Sequence, residues 1–195
     1  MGSGLLRIVI IVAILAGFSA SALAQYESAD KARIGIGLAL ARPSDPALAN
    51  IKGTWMGVNI DIHVTYDENQ RPNGILTLGW FGNAAGASNA TLFPMKATYI
   101  KRFGQSEFGG WYVGGGPDLY FARYKTFDFD PIQRDFVSAD DSGIKLGLGL
   151  VFGLEFGGAW YAEARYDKIG AIDRANGNTV GLSGFTITLG TRVGL

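Results

Sequence analysis

The sequence contains no cysteine, which excludes a disulfide framework, a thiolate metal site and a lipid anchor attached to cysteine. Charge is also scarce, since 17% of the 195 residues are charged and the formal net charge is zero. A chain without a positive excess lacks the electrostatic attraction for nucleic acid, so we predict no nucleic-acid partner.

Histidine occurs once, as His63, two positions after Asp61. No serine lies within two residues of it along the chain, so a nucleophile, a base and an orienting group cannot be assembled around it. His63 is therefore predicted to be a packing residue. We predict that the protein is not an enzyme and that it has no metal and no cofactor.

A long uninterrupted hydrophobic run occurs only near the N-terminus, at 8–18, after the single basic residue Arg7. Ala22 and Ala24 follow it in the arrangement of an A-x-A cleavage site. The run is shorter than the ~20 residues of a membrane-spanning helix, which is the alternative interpretation. We predict a cleaved signal peptide at 1–24 and one exported domain at 25–195.

The remaining chain has an almost continuous period of two, which is typical of β-strands. In "WMGVNIDIHVTY" and "GIKLGLGLVFGLEF", apolar residues alternate with glycine and polar residues. Eight strands are predicted, and Pro117 in the fifth is expected to cause a bulge or kink. Their approximate bounds are 33–41, 55–66, 74–82, 93–103, 110–125, 143–156, 160–167 and 184–195.

The predicted connections alternate between long and short, as in an up-and-down antiparallel arrangement with all long loops on one side. The third long loop, "TFDFDPIQRDFVSADD", is acidic. It is predicted to be a solvated surface loop, because its spacing lacks the D-x-D-x-D-G calcium frame; a calcium site or a contact for a basic partner is the alternative. Its aspartates are Asp128, Asp130, Asp135, Asp140 and Asp141.

Alternation alone does not distinguish a soluble barrel from a membrane barrel, because the two turn opposite faces inward. Here the polar face consists mainly of glycine and alanine, which suits a narrow lumen better than a water-facing surface. The other face is continuous and nearly free of charge. Lipid requires this, since Lys or Arg at the bilayer midplane costs ~2–4 kcal/mol. The apolar face is therefore predicted to face lipid.

The run "FPMKATYIKRFGQSEFGGWYVGGGPDLYFARYK" and the terminal "FTITLGTRVGL" resemble the small eight-stranded outer-membrane barrels of Gram-negative bacteria, of the OmpA, OmpX and OmpW kind. The resemblance implies an all-β fold, an eight-stranded antiparallel up-and-down transmembrane β-barrel in the outer membrane. It implies contact with outer-membrane lipids and lipopolysaccharide, and recognition of the C-terminal strand by the barrel-assembly machinery. This strand ends in Leu195, where the family has an aromatic residue.

The charged residues on the inward faces are predicted to pair with one another, because a buried charge left alone costs ~3–5 kcal/mol. Lys96, Arg102, Lys145, Asp118 and Asp167 share these faces. The predicted ion-pair network consists of Arg33, Asp61, Glu155, Glu163, Arg165 and Arg192.

Three functions follow from this interior. The network is a structural plug in a non-catalytic membrane protein, whose surface loops bind a partner or whose body supports the envelope. Alternatively it gates a narrow pore for small or apolar solutes. A soluble, lipocalin-like periplasmic barrel with inverted faces is the third hypothesis. The oligomeric state stays open.

Overall fold

The computed structural model describes residues 33–51, 53–66, 72–85, 88–106, 109–130, 135–157, 159–173 and 179–194. The predicted signal peptide and Leu195 lie outside these residues. The elements in chain order are β1 (Arg33–Pro43), α1 (Pro46–Ile51), β2 (Trp55–Tyr66), β3 (Pro72–Ala85), β4 (Ser88–Ser106), β5 (Gly109–Asp130), β6 (Asp135–Phe156), β7 (Trp160–Ile169), β8 (Ala171–Asp173), β9 (Thr179–Gly181) and β10 (Gly184–Gly194).

Eight of these strands close into an antiparallel barrel, in the order β1-β10-β7-β6-β5-β4-β3-β2. Closure joins the first strand to the last, with Arg33 opposite Gly194 and Pro43 opposite Gly184. Because every strand then has two neighbours, the barrel has no open edge, which is the condition for sheet structure in a bilayer. The predicted all-β, eight-stranded up-and-down fold is confirmed.

The two ends of the barrel differ. The β2–β3, β4–β5 and β6–β7 connections are short and form the short-turn end. The opposite, long-loop end carries α1 and a separate two-stranded sheet of β8 and β9. Among the described residues, no helix is long and apolar enough to cross a membrane.

Side-chain exposure follows the strand alternation. On β6, the outward-facing leucines at 146, 148 and 150 are 72%, 68% and 71% exposed. The charged side chains of Lys96, Asp118 and Arg165, on β4, β5 and β7, are at most 7% exposed and point into the barrel. The apolar face is therefore outside and the charged face inside, as the sequence predicts for a membrane barrel.

Several strands are longer than predicted. β3 and β4 continue into the predicted second loop and pair as far as Ala85 opposite Ser88. β5 and β6 continue through most of the acidic segment and pair as far as Asp130 opposite Asp135. Asp128 lies on β5 in this extension, and Asp140 and Asp141 lie on β6. The segment is thus mainly a β-hairpin instead of a loop, because Phe and Val residues alternate with its aspartates and favour extended pairing.

Pro117 causes no bulge. The β5–β6 register is continuous through Pro117 opposite Leu148. The β4–β5 register is the same on both sides of it, at Lys96 opposite Asp118 and Tyr99 opposite Gly115. Pro117 is exposed on the outer wall, and its missing N–H interrupts the ladder without shifting it.

Glycines in the wall make room for large side chains in the lumen. A Cβ atom on Gly153 would lie 2.0 Å from the ring of Tyr112, and one on Gly37 would lie 2.8 Å from the hydroxyl of Tyr161. Both tyrosines are completely buried. The glycine-rich inner face is therefore the counterpart of a few bulky residues that fill the barrel.

Candidate functional site

The interior contains an ion-pair cluster toward the short-turn end, which we call the lower cluster. Arg192 donates to Glu155 at 2.5 Å and to Glu163 at 3.0 Å. Arg102 donates to the same Glu155 through Nη2 at 3.0 Å and Nε at 3.2 Å. Two cations and two carboxylates from strands β4, β6, β7 and β10 are thus connected, so the cluster ties together both sides of the lumen.

Aromatic residues complete the lower cluster. The Arg192 guanidinium lies 4.0 Å from the ring centroid of Tyr161 and 5.3 Å from that of Tyr112. Arg192 also donates a hydrogen bond to the Tyr112 hydroxyl at 2.8 Å, and this hydroxyl donates to Glu163. The side chain of Arg192 is only 5% exposed. It is therefore held by charge, hydrogen bonding and cation–π contact together.

A second ion-pair cluster lies near the middle of the lumen, and we call it the central cluster. Arg165 bridges two carboxylates, Asp118 at 2.5 Å and Asp167 at 2.6 Å. Asp167 also accepts from Lys96 at 2.7 Å and from the Tyr120 hydroxyl at 2.6 Å. The exposed fraction of each ion-pair side chain is 8% or less. Two cations again meet two carboxylates, so the cluster is electrically balanced.

Further polar side chains from β2 lie in the lumen and bond to other strands. Asp61 accepts a hydrogen bond from Thr77 at 2.7 Å, and Asn59 donates to Thr188 at 3.1 Å. His63 is 3% exposed and lies inside the barrel on β2. Among the described residues, no group of three or more potential metal ligands occurs.

The six residues of the predicted network are therefore distributed over several places. Glu155, Glu163 and Arg192 meet in the lower cluster, whereas Arg165 belongs to the central cluster. Asp61 forms no ion pair with the described residues. Arg33 begins β1 opposite Gly194, and its side chain is outside the described set.

Sequence reasoning placed Lys96, Asp118 and Asp167 on the inward face but left them out of the network. Two signals were available. Arg165 and Asp167 are two residues apart on one strand face, which puts their side chains next to each other. Lys96 and Asp118 lie directly opposite on β4 and β5. The second signal requires the strand register, which the sequence alone does not provide.

The long-loop end of the lumen is closed by apolar side chains. Trp55 and Phe81 are at most 2% exposed and extend from the wall into the interior. Leu48 from α1, Val180 from β9 and Leu182 just after it are at most 4% exposed and pack against them. The connections at this end thus fold back over the barrel as a cap. Asp45 fixes this cap by accepting a hydrogen bond from the backbone N–H of Gly181 at 2.7 Å.

Two small cavities are lined by interior residues that the structure describes. One, of about 10 Å³, lies between the two ion-pair clusters and is lined by Asn59, Lys96 and Glu163. The other, of about 20 Å³, lies below the cap and is lined by Leu48 and Trp55. A cavity must offer about 10–15 Å³ to hold one water molecule. Each cavity therefore has room for about one water molecule, and neither has room for an organic solute.

Comparison with solved structures identifies the class of fold. The chain is similar to neisserial surface protein A, with 14% identity over 86% of this chain and 98% of that one, and a TM-score of 0.56. It is also similar to the N-terminal β-barrel domain of Pseudomonas aeruginosa OprF, with 16% identity over 84% and 97% of the two chains, and a TM-score of 0.52. The fold is that of the small eight-stranded outer-membrane β-barrels. No protein-family model matches the chain, and no curated protein sequence does.

Proposed function

We propose that this chain is an integral protein of the bacterial outer membrane, that it is not a catalyst, and that its barrel is closed by its own side chains. The observation that carries the proposal is the distribution of the two faces. Large apolar residues on all eight strands face outward, for example Leu40, Ile60 and Ile187 at 49%, 44% and 52% exposure. In water this surface would be far larger than the apolar patches of soluble monomers. In lipid it is the favourable surface.

The interior supports a structural plug over a conduit. The cap, the central cluster and the lower cluster fill the described part of the lumen one after another, and the two cavities described above have about the size of a water molecule. Each cluster pairs two cations with two carboxylates. A selective channel usually carries rings of one charge sign, and a balanced interior lacks such a bias. The role we propose is support of the envelope or binding through the surface connections.

The proposed partners follow from this location. Outer-membrane lipids and lipopolysaccharide surround the wall, and the barrel-assembly machinery recognises the last strand. The soluble lipocalin-like alternative requires apolar residues inside and charges outside. The exposed leucines of β6 and the buried Arg165 have the opposite arrangement.

The test is gel mobility before and after boiling in detergent, using protein from a washed membrane fraction. A closed barrel in the membrane is expected to migrate differently when it is not boiled, because it stays folded in detergent. Protein found only in the soluble fraction, with no change in mobility, would overturn the proposal. Planar-bilayer recording of the same folded protein is expected to show no discrete conductance steps, and regular steps would support the pore instead.

A further inference from the structure

Within the described part of the chain, the charges exposed on the outer wall have one sign. Among the side chains that the structure describes, four charged ones are exposed, Arg42, Lys101, Arg123 and Lys168, and all four are cations. The described carboxylates are buried or half-buried. The described carboxylates on the barrel strands point into the lumen and Asp45 lies in the cap, so the exposed charges that the structure describes are all positive.

Two of these cations lie in one patch at the long-loop end. Arg42 and Phe185 face each other on β1 and β10, and Phe185 faces Tyr166 on β7. Lys168 follows Tyr166 by two residues and is on the same outer face of β7. The Cα atoms of the two cations are separated by two inter-strand steps of about 4.8 Å and by about 7 Å along β7. Long Arg and Lys side chains at this separation are able to contact one headgroup.

These two cations have no partner within the described part of the protein. Neither Arg42 nor Lys168 forms an ion pair, a side-chain hydrogen bond or a ring contact there. Lys101, on the outer face of β4 toward the short-turn end, differs, because its ammonium lies 5.6 Å from the ring centroid of Phe103. The patch therefore presents two unneutralised charges at one position of the wall.

The surroundings of the patch specify the kind of ligand. Phe185 and Tyr166, each 43% exposed, lie between the two cations. Toward the middle of the barrel, Ile187 and Leu189 continue the same face of β10 at 52% and 53% exposure. A ligand that fits has an anionic group for the cations and hydrocarbon chains for the wall below. An arginine guanidinium is suited to phosphate oxygens because it donates two parallel hydrogen bonds.

We propose that Arg42 and Lys168, with Tyr166 and Phe185 between them, form a binding site for the phosphate headgroup of an anionic membrane lipid. The inference rests on the proposed function, because it requires a bilayer around the barrel. It specifies where on the barrel wall a lipid binds and that this lipid is anionic. The lipid is held with its phosphate at the long-loop end and its chains along β10.

The experiment uses the full folded protein in a zwitterionic detergent, titrated with phosphatidylglycerol and followed by native mass spectrometry. Phosphatidylcholine and inorganic phosphate are titrated separately. The double variant R42Q/K168Q is expected to bind phosphatidylglycerol at least about tenfold more weakly than the parent, since each cation contributes independently to anionic-lipid binding. K101Q is the matched control, and its affinity is expected to stay within about twofold of the parent.

Three outcomes overturn the site. They are unchanged affinity in R42Q/K168Q, an equal loss in K101Q, and equally strong binding of inorganic phosphate, which would indicate a free-anion site. Each variant is first checked for the folded band on an unboiled gel, and the single variants R42Q and K168Q are used if the double variant does not fold. Failure of the proposed function is distinguishable, because the parent protein would then lack the folded band in membranes.

Discussion

Replacement of Arg192 by leucine is the sharpest test of the interior. The Arg192 side chain is 5% exposed, and Glu163 is 14% exposed. Among the described residues, Arg192 is the cation that forms an ion pair with Glu163, whereas Glu155 is also paired with Arg102 at 3.0 Å. R192L therefore leaves Glu163 with the Tyr112 hydroxyl alone.

The expected loss follows from this asymmetry. Removing one partner from a buried ion pair costs about 3–5 kcal/mol, because the other charge stays desolvated and unpaired. Nearly all of the lost unfolding free energy in R192L is expected to come from Glu163, because Glu155 keeps Arg102 as a partner. R102L is expected to cost clearly less than R192L, because Glu155 is 23% exposed and keeps its contact with Arg192 at 2.5 Å. The geometry thus predicts that R192L is less stable than R102L.

A second substitution separates lost pairing from lost packing. In R192L/E163Q the unpaired carboxylate is absent, so this double variant is expected to be more stable than R192L by about 2 kcal/mol or more. The measurement is equilibrium unfolding by urea in lipid vesicles, followed by tryptophan fluorescence and by the unboiled gel band. Equal stability of R192L and the parent, or no recovery in the double variant, would refute the assigned role of Glu163.

Three further predictions concern the wall and the central cluster. L150K introduces a charge at a residue that is 71% exposed and is expected to cost ~2–4 kcal/mol in vesicles if lipid covers it; a neutral effect would contradict a lipid-facing wall. G153A brings a Cβ atom to 2.0 Å from a buried tyrosine ring and is expected to cost ~1–3 kcal/mol, whereas G53A, with nothing within 4 Å, serves as its control. D167N removes the carboxylate that pairs with Lys96 at 2.7 Å and is expected to cost about 3–5 kcal/mol in the same urea assay. An unchanged midpoint would show that Lys96 does not depend on Asp167.

The faces of the barrel were predictable because they depend only on a period of two. In β2, Ile60 and Ile62 alternate with Asn59, Asp61 and His63. The polar face consists of small and rarely charged residues, which suits a narrow lumen, so the apolar face was predicted to contact lipid instead of water. No knowledge of strand pairing was required for either step.

The pairing of charges was less predictable, because it depends on contacts across the lumen. Lys96 on β4 reaches Asp167 on β7, and two other strands separate β4 from β7 around the barrel. Such a contact depends on register and lumen width, which no local pattern specifies. The apolar cap was missed for a related reason, since Leu48 and Val180 lie in segments that look like polar loops and only packing reveals their role.

Strand lengths were underestimated where alanine, serine and asparagine are frequent. Asparagine and, to a lesser degree, alanine have low β-propensity, so the sequence predicts a loop at 83–92. In the barrel, β4 begins at Ser88 and pairs on both sides, with β3 and β5. The backbone hydrogen bonds of two neighbouring strands outweigh the weak local preference.

The seam between β1 and β10 has a consequence for the order of folding. It pairs Arg33 with Gly194, at opposite ends of the described chain. A growing or partly assembled sheet therefore has two unsatisfied edges until the final strand arrives. Long-range pairing of this kind makes folding slow. We expect the hydrogen bonds of this seam, which remove both edges, to form last, so that β10, which also carries Arg192, completes the barrel.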